Sequence, residues 1–134
     1  MSTSDYEERE WEISKQLDEI RLQQEECEKL QKELAGMEEE SYWQNKRAKE
    51  VNDDLFDSYP NDAILQMLLA EKEELLQKKQ TFEKTFFEDC RELISRKVNE
   101  TEHLREEYEA ELLLVQKWEG DEQNEDYIYS DTNE

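Results

Sequence analysis

Apolar residues recur every seven positions through the first half of the chain, with intervals of three or four in between. The main register holds, in order, Ile13, Ile20, Cys27, Leu34, Ser41, Ala48 and Leu55, and companion positions add Leu17, Leu30, Met37 and Val51. This spacing predicts one long amphipathic helix, over about 5–58, that packs along a single seam. The second set of seam positions is polar after Leu17, at Gln24, Gln31 and Glu38.

Local signals mark where this first helix begins and ends. Ser4 and Glu7 form an S-x-x-E capping box, in which each side chain accepts a hydrogen bond from a backbone N–H at the helix start. Pro60 ends the helix because proline lacks an N–H and disfavours the α region for the residue before it. Asn61 or Asp62 then caps the N-terminus of a second helix.

The second helix is predicted over about 62–118, because apolar residues continue there at intervals of three and four. From Phe86 onward the predicted row reads Phe86, Cys90, Leu93, Lys97, Thr101, Leu104, Tyr108, Leu112 and Val115, an 11-residue repeat. Trp118 is the predicted last residue, and Gly120 is the predicted glycine cap that follows it. Residues 121–134 carry six acids and no base, which predicts a disordered acidic tail.

Two helices of nearly equal length about a short turn predict an all-α fold, a long antiparallel two-helix hairpin over 1–120. Residues that face each other across such a hairpin have numbers that sum to about 120. Gly36 permits a kink in the first helix, since glycine in a helix interior costs about 1 kcal/mol relative to alanine. A full break at Gly36 would give three helices, which is the alternative architecture.

Composition limits the class of partner. The chain of 134 residues has 39 acidic and 17 basic side chains and a net charge of −22. Such a surface repels phosphate, so neither nucleic acid nor an anionic membrane is an expected partner. We see no signal peptide and no apolar run near the about 18 residues of a membrane span. The expected location is the cytoplasm, where Cys27 and Cys90 stay reduced.

The second helix carries more apolar surface than one seam can bury. Adjacent pairs such as Leu68–Leu69 and Leu75–Leu76 widen the apolar arc, because successive helical side chains point in different directions. Either a homodimeric four-helix bundle or a bundle with a different helical protein would cover this surplus. The predicted partner surface consists of Tyr42, Trp43, Phe82, Phe86, Phe87, Ile94 and Val98.

Catalytic chemistry finds little support in the sequence. His103 is the single histidine; Glu100 lies three residues before it and Glu107 four after it. Carboxylate di-iron bundles use two Glu-x-x-His motifs, so one chain cannot supply the ligand set. No nucleophile triad or phosphate-binding loop is present. The prediction is a protein that is not an enzyme and binds no metal or cofactor.

Two short motifs near the C-terminus resemble export signals. Trp118-Glu119-Gly120 is a W-x-G sequence, and Tyr127 and Asp131 form a Y-x-x-x-D sequence. Together they are similar to motifs of the small helical substrates of type VII secretion, in which W-x-G lies between two helices. The resemblance implies that Trp118, Gly120, Tyr127 and Asp131 are candidate export-signal residues.

A longer resemblance covers about a third of the chain. Residues 38–84 contain an acidic and aromatic segment, the turn Asp57-Ser-Tyr-Pro-Asn-Asp62, and a second helix rich in Leu and Glu. This arrangement resembles the small all-helical accessory proteins encoded beside LXG toxins of Gram-positive bacteria. The resemblance implies an accessory or targeting chaperone. Such a protein pairs with a second small helical protein and with the N-terminal helices of an LXG toxin before type VII export.

Overall fold

The protein is a hairpin of two long α-helices. The structure is a computed structural model that describes the backbone of residues 3–132 and the side chains of residues 4–121. Helix α1 spans Thr3–Ser58 and helix α2 spans Ala63–Thr132, and the described residues contain no strand. The predicted all-α helical hairpin is therefore confirmed. Because α1 already includes Thr3, Ser4 lies inside the helix and is not its N-cap.

The turn between the helices satisfies its own backbone groups. Asp62 is the N-cap of α2, since its carboxylate Oδ1 accepts a hydrogen bond of 2.9 Å from the Leu65 N–H. The Gln66 side-chain amide donates to the carbonyls of Phe56, at 3.0 Å, and of Tyr59, at 2.7 Å. Carbonyls at the end of α1, which have no helical partner, are thus paired. Pro60 ends α1 as predicted, and side chains in and beside the turn provide the hydrogen bonds described above.

Both glycines continue their helices. α1 passes through Gly36 without a break, which removes the three-helix alternative, and neither glycine has a positive φ. α2 continues past Gly120 to Thr132. The predicted helix end at Trp118 and the predicted Gly120 cap are therefore wrong, whereas the disordered acidic tail over 121–134 stays a prediction. No proline follows Trp118, and a glycine costs about 1 kcal/mol, which does not by itself end a helix. Residues 133 and 134 lie outside the description.

The chain divides into two compact units, and each contains a stretch of both helices. The terminal unit combines Met1–Cys27 with Arg96–Glu134, and the tip unit is Glu28–Ser95. The terminal unit contains most of the apolar core, in which Ile13 is fully buried and packs with Tyr6 and Val115. Partly buried Leu17, Tyr108 and Leu112 extend this cluster. In the tip unit, Leu34 and Leu69 are the only buried apolar side chains among the described residues.

The predicted seven-residue register of α1 faces α2 through most of its length. In the terminal unit the buried positions are Tyr6, Ile13, Ile20 and Cys27. The register fails near the tip, because Ala48 and Leu55 are exposed. Polar residues take the inward positions there instead: Asn45 is buried and Asn52 is half-buried.

The second set of seam positions on α1 forms hydrogen bonds to α2. In the terminal unit, the Gln24 amide donates to Glu102 at 3.1 Å. In the tip unit, Glu38 pairs with Arg91, and the Asn52 amide donates to the Leu69 carbonyl at 3.1 Å and to Glu73 at 3.2 Å. The numbers of these paired residues sum to between 121 and 129. The helices thus run antiparallel within each unit, with sums from just above the predicted 120 to nine above it.

Carboxylates and cations also meet within the terminal unit. The Arg9 guanidinium donates to Glu111, with its Nε 2.7 Å from Oε1, and this bond raises the pKa of Arg9. Glu10 and Glu119 instead bring two carboxyl groups together. Their hydrogen bond raises the pKa of Glu119 above the ordinary 4.5, with smaller contributions from desolvation and from the Glu10 charge. This contact is unfavourable when both groups are ionised, because like charges repel.

Gly36→Ala should stabilise the protein by about 1 kcal/mol. Gly36 lies in unbroken helix, and an added Cβ would have no atom within 4 Å. Alanine therefore gains helix propensity without a clash. Urea unfolding followed by circular dichroism measures the change. A loss of stability would show that the helix is strained or bent at this glycine.

Glu119→Gln should raise the melting temperature at pH 7. The raised pKa means that the folded state holds this proton to a higher pH than the unfolded state does, so folding is disfavoured once Glu119 ionises. The stabilisation by glutamine should shrink as the pH falls through the raised pKa and vanish below the ordinary value of 4.5. Asp121→Asn, which removes an exposed charge two residues away, is the control. Equal shifts for both variants at pH 7 would contradict a specific Glu10–Glu119 contact.

Candidate partner-binding surface

The tip unit exposes most of its large apolar side chains. Fifteen of the twenty-one exposed large hydrophobic residues among the described positions belong to residues 28–95, whereas five of the seven buried ones belong to the terminal unit. Many exposed large apolar side chains in one part of a protein are typical of a surface that binds a partner. The tip unit is therefore where a partner-binding surface is expected.

Exposed apolar residues form one row on each helix of the tip unit. The row on α2 consists of Leu68, Leu75, Phe82, Phe86 and Leu93. The row on α1 consists of Leu30, Met37, Val51 and Leu55. Steps of four, seven or fourteen residues within each row keep its members on one side of their helix. We call these the exposed rows, and their side chains are between 36% exposed at Leu55 and 70% exposed at Phe82.

The two exposed rows meet in a groove between the helices. The groove has a volume of about 540 Å³ and lies within the tip unit. Its lining consists of Ala48, Val51, Leu55, Leu75, Leu76, Gln44, Asn52, Arg47, Lys72 and Lys79. Since Val51 and Leu55 come from α1 and Leu75 comes from α2, both rows border the same side of the hairpin here. We call this feature the tip groove.

The predicted aromatic residues lie on both helices, outside the lining of the tip groove. Phe82 and Phe86 lie on the exposed row of α2, with ring centroids 6.4 Å apart and nearly parallel planes. Tyr42 and Trp43 are also exposed, and their rings meet edge to face at 5.4 Å. Neither Tyr42 nor Trp43 lines the tip groove. Tyr42 borders another hollow, together with Phe87. Phe87 also meets Phe86 edge to face, with ring centroids 5.7 Å apart, so predicted aromatic residues of both helices lie around or beside this hollow.

The other predicted surface residues lie in the seam. Phe87, Ile94 and Val98 are half-buried, at steps of three or four from Cys90 and from fully buried Thr101. The predicted seam row through Phe86, Leu93, Lys97 and Leu104 is exposed instead. The seam on this part of α2 thus keeps Cys90 and Thr101 of the predicted row but takes Phe87, Ile94 and Val98 in place of its exposed members.

A physical reason favours the observed choice of rows. The predicted row would bury the ammonium group of Lys97, which is costly without a paired charge. In the structure Lys97 remains at the surface, 3.8 Å from Glu100. β-branched Ile94 and Val98 take the inward positions.

The candidate export-signal residues lie near the end of α2. Trp118 is half exposed, Gly120 is within the helix, and the W-x-G sequence is not a turn between helices. Tyr127 and Asp131 belong to the backbone of α2, but their side chains lie outside the described residues.

The remaining chemical groups considered from the sequence are His103 and the two cysteines. His103 pairs with Glu107 at 3.0 Å on the surface of α2. Across the described residues, no three His, Cys, Asp or Glu side chains are placed to hold a metal ion. Cys27 is buried, Cys90 is half-buried, and both are free thiols. Neither helix, over its described part, has an apolar stretch able to cross a membrane.

Sequence reasoning missed the tip groove. Lys72 carried the signal, because the residues three and four positions away on either side are all leucine: Leu68, Leu69, Leu75 and Leu76. Such a lysine has no acidic neighbour on its own helix face. Leu30, Met37 and Val51 were recognised as a companion row but assigned to the seam.

Comparisons with protein-family models, with curated proteins and with solved structures find no match to this chain.

Phe87→Ala should destabilise the protein more than Phe82→Ala, because Phe87 lies in the seam and Phe82 lies on the exposed row. A half-buried phenylalanine should cost about 2 kcal/mol on truncation, below the about 3–5 kcal/mol of a fully buried one. Phe82 is 70% exposed, so its loss should cost about 0.5 kcal/mol or less. Chemical unfolding of the two variants measures both values. A larger loss for Phe82 than for Phe87 would restore the row assignment predicted from sequence.

Proposed function

We propose that this protein is a non-enzymatic helical interaction module that uses its exposed rows to complete a helical bundle with a partner. The observation that carries the proposal is the distribution of apolar residues in the tip unit: two are buried and fifteen large ones are exposed. The rows follow helical spacing, so the partner surface they fit is another helix. Aromatic Phe82 and Phe86 are its natural anchors, because aromatic residues dominate binding energy at interfaces.

The proposed partner is the helical N-terminal domain of an LXG toxin, together with a second small helical accessory protein. The resemblance over residues 38–84 supports this identity, and that segment contains all ten residues of the tip groove lining. In this role the protein acts in the cytoplasm as an accessory or targeting chaperone and readies the toxin for type VII export. Trp118, Gly120, Tyr127 and Asp131 are proposed to contribute if the protein leaves the cell with its client.

Truncating the exposed rows should abolish capture without unfolding the protein. We expect Leu75→Ser combined with Phe82→Ser to reduce capture of a co-expressed LXG-type helical domain by at least about tenfold, since each hot-spot residue is worth about 2 kcal/mol or more. Both side chains are more than 60% exposed, so folding should persist. Tagged pull-down, native mass and circular dichroism are measured on the same samples.

Trp11→Ser combined with Leu22→Ser provides the matched control. These two residues are exposed to a similar degree but belong to the terminal unit. Capture should survive in this variant. Equal loss in both variants would show non-specific adhesion. A tight homodimer that ignores every helical client would favour the alternative, a self-associating four-helix bundle without a secretion role.

A further inference from the structure

The charge at the tip groove is opposite to that of the protein. The chain carries 39 acids and 17 bases, yet the residues that line the groove include three cations and no acid. The cations are Arg47 on α1 and Lys72 and Lys79 on α2. Gln44 and Asn52 supply the other polar groups. On a surface with this excess of carboxylates, an apolar groove whose charged lining residues are all cations is a local exception that requires a reason.

Two of these cations have no ion-pair partner in the described part of the chain. Lys79 is engaged, since its Nζ lies 3.1 Å from Asn45 Oδ1 and 3.4 Å from Glu83 Oε1. Arg47 and Lys72 form no such contact, whereas several other cations in the tip unit, such as Lys78 with Glu74 at 3.7 Å, are paired. Lys72 stands among leucines, so its helix provides no carboxylate to neutralise it.

We propose that the tip groove binds an amphipathic helix whose apolar face is flanked by acidic residues, with Arg47 and Lys72 pairing with those carboxylates. The proposal rests on the proposed function and adds the chemistry of the partner helix and the place where it docks. The apolar lining accepts the helix's hydrophobic side chains, as in other helix-in-groove complexes. The cations select the acidic flanks and fix the orientation of the helix.

A second copy of this chain fits the groove less well. A two-fold symmetric contact centred on the groove places the same patch of both subunits together. The unpaired Arg47 and Lys72 of one copy would then face those of the other, and like charges would oppose the contact. Charge complementarity therefore favours a distinct acidic helix over self-association at this place.

The test uses full-length protein and two synthetic peptides. Each is a fluorescein-labelled amphipathic helix of about 20 residues with the same leucine face, flanked by Glu in one peptide and by Lys in the other. Fluorescence anisotropy should show that wild-type protein prefers the Glu-flanked peptide. Arg47→Glu combined with Lys72→Glu should lower the affinity for the Glu-flanked peptide about tenfold and raise the affinity for the Lys-flanked one.

Lys49→Glu combined with Lys78→Glu is the matched control, because it changes the net charge by the same amount at residues outside the groove lining. It should leave the peptide preference unchanged. Equal binding of both peptides, equal effects of the two double variants, or protein dimers that bury the groove and exclude both peptides would each overturn the inference.

The result can be separated from that for the proposed function. If the LXG-type domain is captured through the exposed rows but the protein does not bind the Glu-flanked peptide more tightly than the Lys-flanked one, the inference fails and the proposed function stands. If neither client nor peptide binds, both fail.

Discussion

Hydrogen bonds from Gln24, Asn45 and Asn52 to α2 occupy seam positions where a coiled coil ordinarily has apolar residues. Polar groups at such positions restrict the register, because a shift of either helix would leave buried donors and acceptors unpaired. They also limit how much apolar surface the hairpin buries. Leucine and phenylalanine residues that could have filled a wider core therefore lie outside it. The exposed rows are a consequence of these polar seam positions.

The features that follow from local chemistry could be predicted from sequence. Pro60 ends α1 and Asp62 begins α2 for reasons contained within a few residues. The hairpin itself follows from two long amphipathic segments and one turn. The choice between Phe86 and Phe87 as the inward residue could not be predicted in this way. Both satisfy helical spacing, and the decision depends on which row across the seam receives them.

The end of α2 shows that a local signal in the sequence can also mislead. Gly120 looked like a stop signal because glycine often caps helices, but a cap requires a left-handed backbone, and nothing in the sequence states which φ a glycine adopts. For the candidate site, the excess of apolar residues on α2 was predictable. The tip groove was not, since it requires Val51 of α1 to be placed opposite Leu75 of α2.

The turn has a consequence for how the hairpin assembles. Partners across the seam are 17 residues apart at Asn52 and Leu69, 38 apart at Asn45 and Glu83, and 102 apart at Arg9 and Glu111. The entropy lost in closing a loop grows with its length, so contacts beside the turn are the least costly to form first, and each one shortens the loop that the next must close. Contacts across the seam can therefore form in order from the turn toward the chain ends. The apolar cluster around Ile13, which has no counterpart in the tip unit, then forms last and stabilises the complete hairpin.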